Sequence, residues 1–238
     1  MKQEYDKYTS EDHEVWKILF ERQVDNLQDK ACAEYLSSLT EMKDVIHANK
    51  VPDFREVDEI LMDKNGWSIY VVPGLIPVNE FFELLAEKKF CSSTWLRKKS
   101  QLDYLEEPDM FHDTFGHIPL LMDPQYTGFV QKMGEMGVKY AEDENKILAL
   151  QRLYWFTIEF GLIQQGGTKI YGAGILSSYG ESNHIYDNNI TIENFDLNSI
   201  YNRSFINSEI QQHYFELDQY QTIYESADQI ENALKLIK

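Results

Sequence analysis

Cysteine is almost absent from this chain: two in 238 residues, Cys32 and Cys91. Two are too few for a disulfide framework, and these lack the spacing of a structural metal site. Long apolar runs are missing as well. No stretch approaches the ~18 residues that suggest a membrane span, and the opening MKQEYDKYTSEDHEVW holds no apolar signal-peptide core. Basic charge is scarce, with 22 Lys and Arg against 40 Asp and Glu, a formal charge of −18. An acidic surface repels nucleic acid and anionic membranes, and the RKK of residues 97–99 is too short to offer a local exception. A cytoplasmic protein without a nucleic-acid or membrane partner is expected. Six prolines and twelve glycines are scattered, and there is no internal repeat and no low-complexity linker. One domain over residues 1–238 follows.

What is abundant is aromatic. Fifteen Tyr and thirteen Phe supply more burial than a disordered chain carries, and 238 residues can enclose a substantial core. Apolar periodicity predicts a mainly helical, α+β architecture. TSEDHEVWKILFERQ offers a Ser/Thr cap followed by Val15, Ile18, Leu19 and Val24 at helical spacing, and DKACAEYLSSLTEM follows as a second helix. KNGWSIYVVPG carries a turn and then a short strand, Trp67 to Val72. PVNEFFELLAEKKF returns to helix with Phe81, Leu84, Leu85 and Phe90 inward. DPQYTGFVQKMGEMGVKYA starts a helix at Asp-Pro. ENKILALQRLYWFTIEFGLIQQGG predicts the strongest helix, ending at Gly166-Gly167. TKIYGAGIL reads as a strand or extended segment, and ESADQIENALKLIK as a last helix.

Chemistry concentrates in EPDMFHDTFGHIPLL. On a continuous α-helix, residues five apart sit roughly 140° from each other, so His112 and His117 could not share a small ion. Gly116 and Pro119 predict that the helix stops near Phe115, letting His117 swing back towards His112. The other reading makes the pair a coincidence, one histidine being an ordinary core or surface residue. Glu159, in the apolar LYWFTIEFGL, would be costly to bury unpaired. A divalent cation is one partner, and Arg152 is another. Two histidines and a carboxylate on one face of a metal leave three positions open, the arrangement of non-haem Fe(II) oxygenases.

EPDMFHDTFGHIPLLMDPQY, RLYWFTIEFGLI and IYGAGILSSYGE together resemble the pterin-dependent aromatic amino acid hydroxylases, over about residues 8–224. The resemblance implies a mainly helical catalytic domain with Fe(II) held by His112, His117 and Glu159. It also implies a tetrahydropterin cofactor and O2 as co-substrate. PGLIPVNEFF resembles the family's pterin segment, with Gly74 and Leu75 lining the cofactor by backbone contact and Phe81 stacking on its ring. Asp113 and Glu181 would also lie at the cofactor. Asp113 stands where animal members carry Glu and bacterial members usually Asp. Arg97 would hold the substrate carboxylate with Asp109 behind it, Trp155 would wall the substrate ring, and Ser177 would sit nearby.

Trp155, and an aliphatic Leu217 where tyrosine-type members carry an acid, imply phenylalanine 4-hydroxylation to tyrosine. Tryptophan or tyrosine is the alternative ring. A Zn-dependent hydrolase could use the same ligands, although no H-E-x-x-H base accompanies them, and a catalytically inactive relative kept for binding is a third reading. The family's eukaryotic regulatory domain and tetramerisation helix do not fit in 238 residues, so a monomer or small oligomer without that control is expected.

Overall fold

Helix α1 (Ser10–Leu27) opens on the Thr9 cap that its sequence offers. In the computed structural model, which describes residues 1–102 and 107–237, the Thr9 hydroxyl accepts the Asp12 N–H. The Asp12 carboxylate takes the Thr9 N–H in return at 2.7 Å. Two otherwise unsatisfied donors of the first turn are met reciprocally. Helices α2 (Ala33–Glu41) and α3 (Phe54–Asn65) follow, the latter ended by Gly66 at a left-handed φ of 71°.

Strands β1 (Ser68–Val71) and β2 (Lys89–Ser92) pair in parallel, with α4 (Val78–Ala86) crossing between them. The spacing predicts helix as far as Phe90. The chain instead turns at Lys88, φ 57°, and Phe90 is buried from a strand. Helix α5 (Pro124–Lys139) packs tightly on α4: a Cβ at Gly134 would stand 2.3 Å from the Ala86 nitrogen, and one at Gly137 2.2 Å from Phe82 Cγ. Glycine is required there for the close approach of two helices.

Helix α6 (Glu144–Tyr154) also ends earlier than its sequence predicts. Trp155–Glu159 widen into a π-helical turn, closed by the Phe160 N–H on the Trp155 carbonyl at 2.9 Å. Phe160 then leaves helical space, and Gly161–Gln164 become β3. A short apolar run such as Gly-Leu-Ile suits a buried strand as well as a helix. Gly166 and Gly167, at φ 70° and 138°, form the turn into β4 (Thr168–Ile170). The predicted extended segment stops there, because Ala173–Leu176 is a short helix, α7.

After α8 (Tyr179–His184) come β5 (Thr191–Asn194), α9 (Leu197–Asn202) and β6 (His213–Leu217). The four-stranded sheet runs β4-β3-β6-β5, antiparallel between β3 and β4 and parallel elsewhere. Helices α10 (Tyr220–Glu225) and α11 (Ala227–Leu236) complete the mainly helical α+β fold. Among the described residues, most of the buried apolar side chains form one connected cluster, which reaches both π-helical turns through Phe115, Phe156 and Ile158.

Candidate active site

His112 and His117 do come together, by a different route from the predicted helix stop. Residues His112–His117 form a π-helical turn, and Phe111 and Ile118 on either side remain right-handed helical. Hydrogen bonding from i to i+5 widens the turn, so residues five apart share a face. The two Nε2 atoms are 3.2 Å apart. Gly116 does not end the helix; it admits α7, since a Cβ there would lie 2.7 Å from the Ala173 carbonyl oxygen. Pro119 opens the 3-10 turn that follows, Pro119–Met122.

The second π-helical turn delivers Glu159. Its Oε1 is 3.2 Å from His117 Nε2 and its Oε2 is 3.6 Å from His112 Nε2. The alternative partner, Arg152, points elsewhere and donates to the Tyr201 carbonyl. Two ligand atoms about 2.1 Å from one ion, at right angles, stand about 3 Å apart. The observed spacing therefore suits a shared divalent cation, and the donor set of two imidazoles and one carboxylate suits iron.

Protonation agrees. Burial pushes the His112 imidazole down to about 4, so it is neutral near pH 7 as a ligand must be. For Glu159, burial acts upwards, but His117 and His112 outweigh it and hold the carboxyl below its ordinary value. Ser177 Oγ, 2.9 Å from His112 Nδ1, donates its own proton to the Ala173 carbonyl at 2.8 Å. His112 Nδ1 must then be the N–H donor, which leaves the Nε2 lone pair facing Glu159 and His117.

These three residues border a cavity of about 520 Å³, and every other predicted site residue except Asp109 borders it too. Asp109 is fully buried behind Arg97, whose side chain is 10% exposed. It accepts Arg97 Nε and Nη2, each at 2.9 Å, the Arg97 main-chain N–H at 2.9 Å, and the His112 N–H at 3.2 Å. One carboxylate thus aligns the guanidinium and the first histidine.

Gly74 and Leu75 line the cavity, with Leu75 75% exposed. Phe81 meets Tyr154 edge-on at 5.0 Å. Asp113 accepts the Ser93 N–H at 2.7 Å, and burial pushes its carboxyl up to about 7. Glu181 Oε1 accepts the Gln211 N–H at 3.0 Å, and the Tyr214 hydroxyl lies 2.6 Å from Oε2. Burial raises the Glu181 carboxyl above its ordinary value. Leu217 is buried in β6 and is not among the residues that line the cavity.

Three residues that the sequence does not single out complete this region. Tyr154 and Phe205 line the cavity, and Gln211 lies just behind it. Phe205 and Gln211 come from the stretch between α9 and β6, which carries no periodic or motif signal that could have identified them.

The sequence profile described as "Biopterin-dependent aromatic amino acid hydroxylase" matches residues 4–237. A phenylalanine-4-hydroxylase of Chromobacterium violaceum is 42% identical over 226 residues, covering 94% of this chain and 75% of that protein. One of Caulobacter vibrioides is 41% identical over 228 residues, covering 94% and 76%. The crystal structure of the Chromobacterium violaceum phenylalanine hydroxylase with bound iron(III) and 7,8-dihydrobiopterin superposes with a TM-score of 0.92 at 42% identity, covering 99% of this chain and 86% of that one.

Proposed function

This chain belongs to the biopterin-dependent aromatic amino acid hydroxylases, and we propose that it converts L-phenylalanine to L-tyrosine using O2, ferrous iron and a tetrahydropterin. The observation that carries the proposal is the convergence of His112, His117 and Glu159 on one cavity that also receives Arg97. The relatives named for phenylalanine support the choice of ring.

Iron held by these three side chains would supply O2 activation, with the pterin as electron donor. The protein's own residues do the rest. Asp109 occupies Arg97 Nε and Nη2, so the remaining edge of the guanidinium is presented to the substrate carboxylate as a preset fork. Trp155 walls the side where the substrate ring packs. Phe81, Gly74 and Leu75 border the pterin side, with Asp113 and Glu181 as its acidic neighbours. Ser177 fixes the His112 ring, and the apolar wall keeps water from the reacting face. The whole chain, residues 1–238, is read as one catalytic domain, supported by the connected core that most buried apolar side chains of the described residues share. A cytoplasmic monomer or small oligomer is part of the proposal; among the described residues no helix is long and apolar enough to cross a membrane.

The test is to incubate Fe(II)-loaded protein, tetrahydropterin and O2 with each of the three aromatic amino acids and to weigh the products. Tyrosine from phenylalanine is expected, and no ring hydroxylation of any of them would refute the proposal. In the same assay Arg97→Ala should raise the phenylalanine KM roughly 10–100-fold, the worth of a charge-assisted hydrogen bond. An unchanged KM would remove Arg97 from the carboxylate role.

A further inference from the structure

Gln211 is 8% exposed, does not line the cavity, and has every polar group bonded. Its side-chain Nε2 donates to the Ile206 and Glu209 carbonyls at 2.8 and 2.7 Å. Its Oε1 accepts the Trp155 indole N–H at 3.3 Å. Its main-chain N–H donates to Glu181 Oε1 at 3.0 Å, and its main-chain carbonyl lies 2.9 Å from the Tyr214 hydroxyl. The orientation of the amide is fixed by this company. Two carbonyl oxygens on one side can be met only by the NH2 group, so the amide oxygen must face the indole.

Trp155 is thereby held at its edge as well as on its faces. Phe205 stacks on it at 4.4 Å with 16° between planes, and Phe160 packs at 4.6 Å. The two rings restrict tilt, but neither stops the indole from sliding in its own plane. A hydrogen bond to the indole nitrogen does. Gln211 also clasps the chain from Ile206 to Glu209 back onto itself, the stretch that follows Phe205 directly.

We infer that Gln211 is a positioning residue, which fixes the plane and register of Trp155 and so sets the wall against which the substrate ring packs, without touching the substrate. The inference rests on the proposed function for the identity of that substrate. Its structural half stands independently.

Two measurements on the full chain test it. In iron-loaded enzyme, Gln211→Met should raise the phenylalanine KM about 3- to 10-fold, the effect of one hydrogen bond, and leave kcat within about 2-fold. In a Trp155→Phe background, which has no indole N–H, the same substitution should produce no further change in KM, because coupled residues are not additive. In 15N-labelled protein, Gln211→Met should shift the Trp155 indole resonance, assigned by its disappearance in Trp155→Phe.

Independent effects that multiply in the double variant, or an unmoved indole resonance, would overturn the inference. Should Gln211→Met not fold, the wild-type protein decides. Its Trp155 indole N–H should exchange with solvent at least about tenfold more slowly than free indole, and exchange at the free rate would overturn the inference. Failure of the wild type to hydroxylate any aromatic amino acid counts against the proposed function instead, and the resonance and exchange results still judge Gln211.

Discussion

Tyr214 has one hydroxyl proton and two oxygen neighbours, Glu181 Oε2 at 2.6 Å and the Gln211 carbonyl at 2.9 Å. It can donate to only one of them. An ionised Glu181 leaves two acceptors facing each other without a proton between them, whereas a protonated one donates to Tyr214, which then donates to Gln211. Burial, which raises the Glu181 carboxyl, favours the same state. A carboxyl with a raised folded pKa contributes stability that is complete below its unfolded pKa and is lost as pH rises through the folded value. Glu181→Gln mimics the neutral acid at every pH. The variant should therefore match the wild type in acid and become progressively more stable than it as pH rises, levelling off above the folded pKa. Urea unfolding of both proteins from about pH 5 to about pH 8 measures this. A stability difference independent of pH, or one falling with pH, would show that Glu181 is ionised in the fold.

The two π-helical turns explain which parts of this fold could be read in advance. His112, His117 and Glu159 were legible as a set, because imidazole spacing and a lone acid in an apolar run are visible in the sequence. How they meet was not. A π turn differs from an α turn by one residue per hydrogen bond, and no propensity separates them, so Gly116 looked like a stop signal. Its real constraint comes from α7, which contacts His112–His117 from 57 residues further on. The early end of α6 was hidden for a similar reason: Gly161 to Ile163 becomes a strand only because β4 and β6 flank it. Gly116→Ala tests the packing account. A new methyl 2.7 Å from the Ala173 oxygen must push α7 outwards, and Ser177, the C-cap of α7, would move away from His112. Loss of such a partner behind a metal ligand typically costs 10–100-fold in metal affinity. Chelator competition with Co(II) should show about that loss, with the helical circular dichroism retained. Full metal affinity in this variant would mean that the two elements do not depend on each other.

At the scale of the whole molecule, the net charge has a consequence for stability. Forty acidic groups face 22 basic ones, so even complete pairing would leave the surplus that appears as −18. The observed ion pairs are mostly exposed, such as Lys7–Glu4, Lys17–Glu21 and Lys132–Glu135, and pairs of this kind contribute about 0–1 kcal/mol each. Uncompensated acids repel one another across the compact state and are further apart in the unfolded chain. Salt acts on both contributions, weakening the few attractions and the many repulsions. With so large a surplus of one sign, the repulsive contribution dominates. Raising NaCl from about 0.01 M to about 1 M shortens the screening length from about 30 Å to about 3 Å, which removes most of the repulsion between acids that are not in contact. The melting temperature should consequently rise by a few degrees over that range, and most of the gain should come below about 0.2 M, where the screening length falls fastest. Thermal unfolding followed by circular dichroism at fixed pH 7 reads this directly. A flat or falling melting temperature would mean that the acids are held in compensating networks and that the net charge exerts no expanding force.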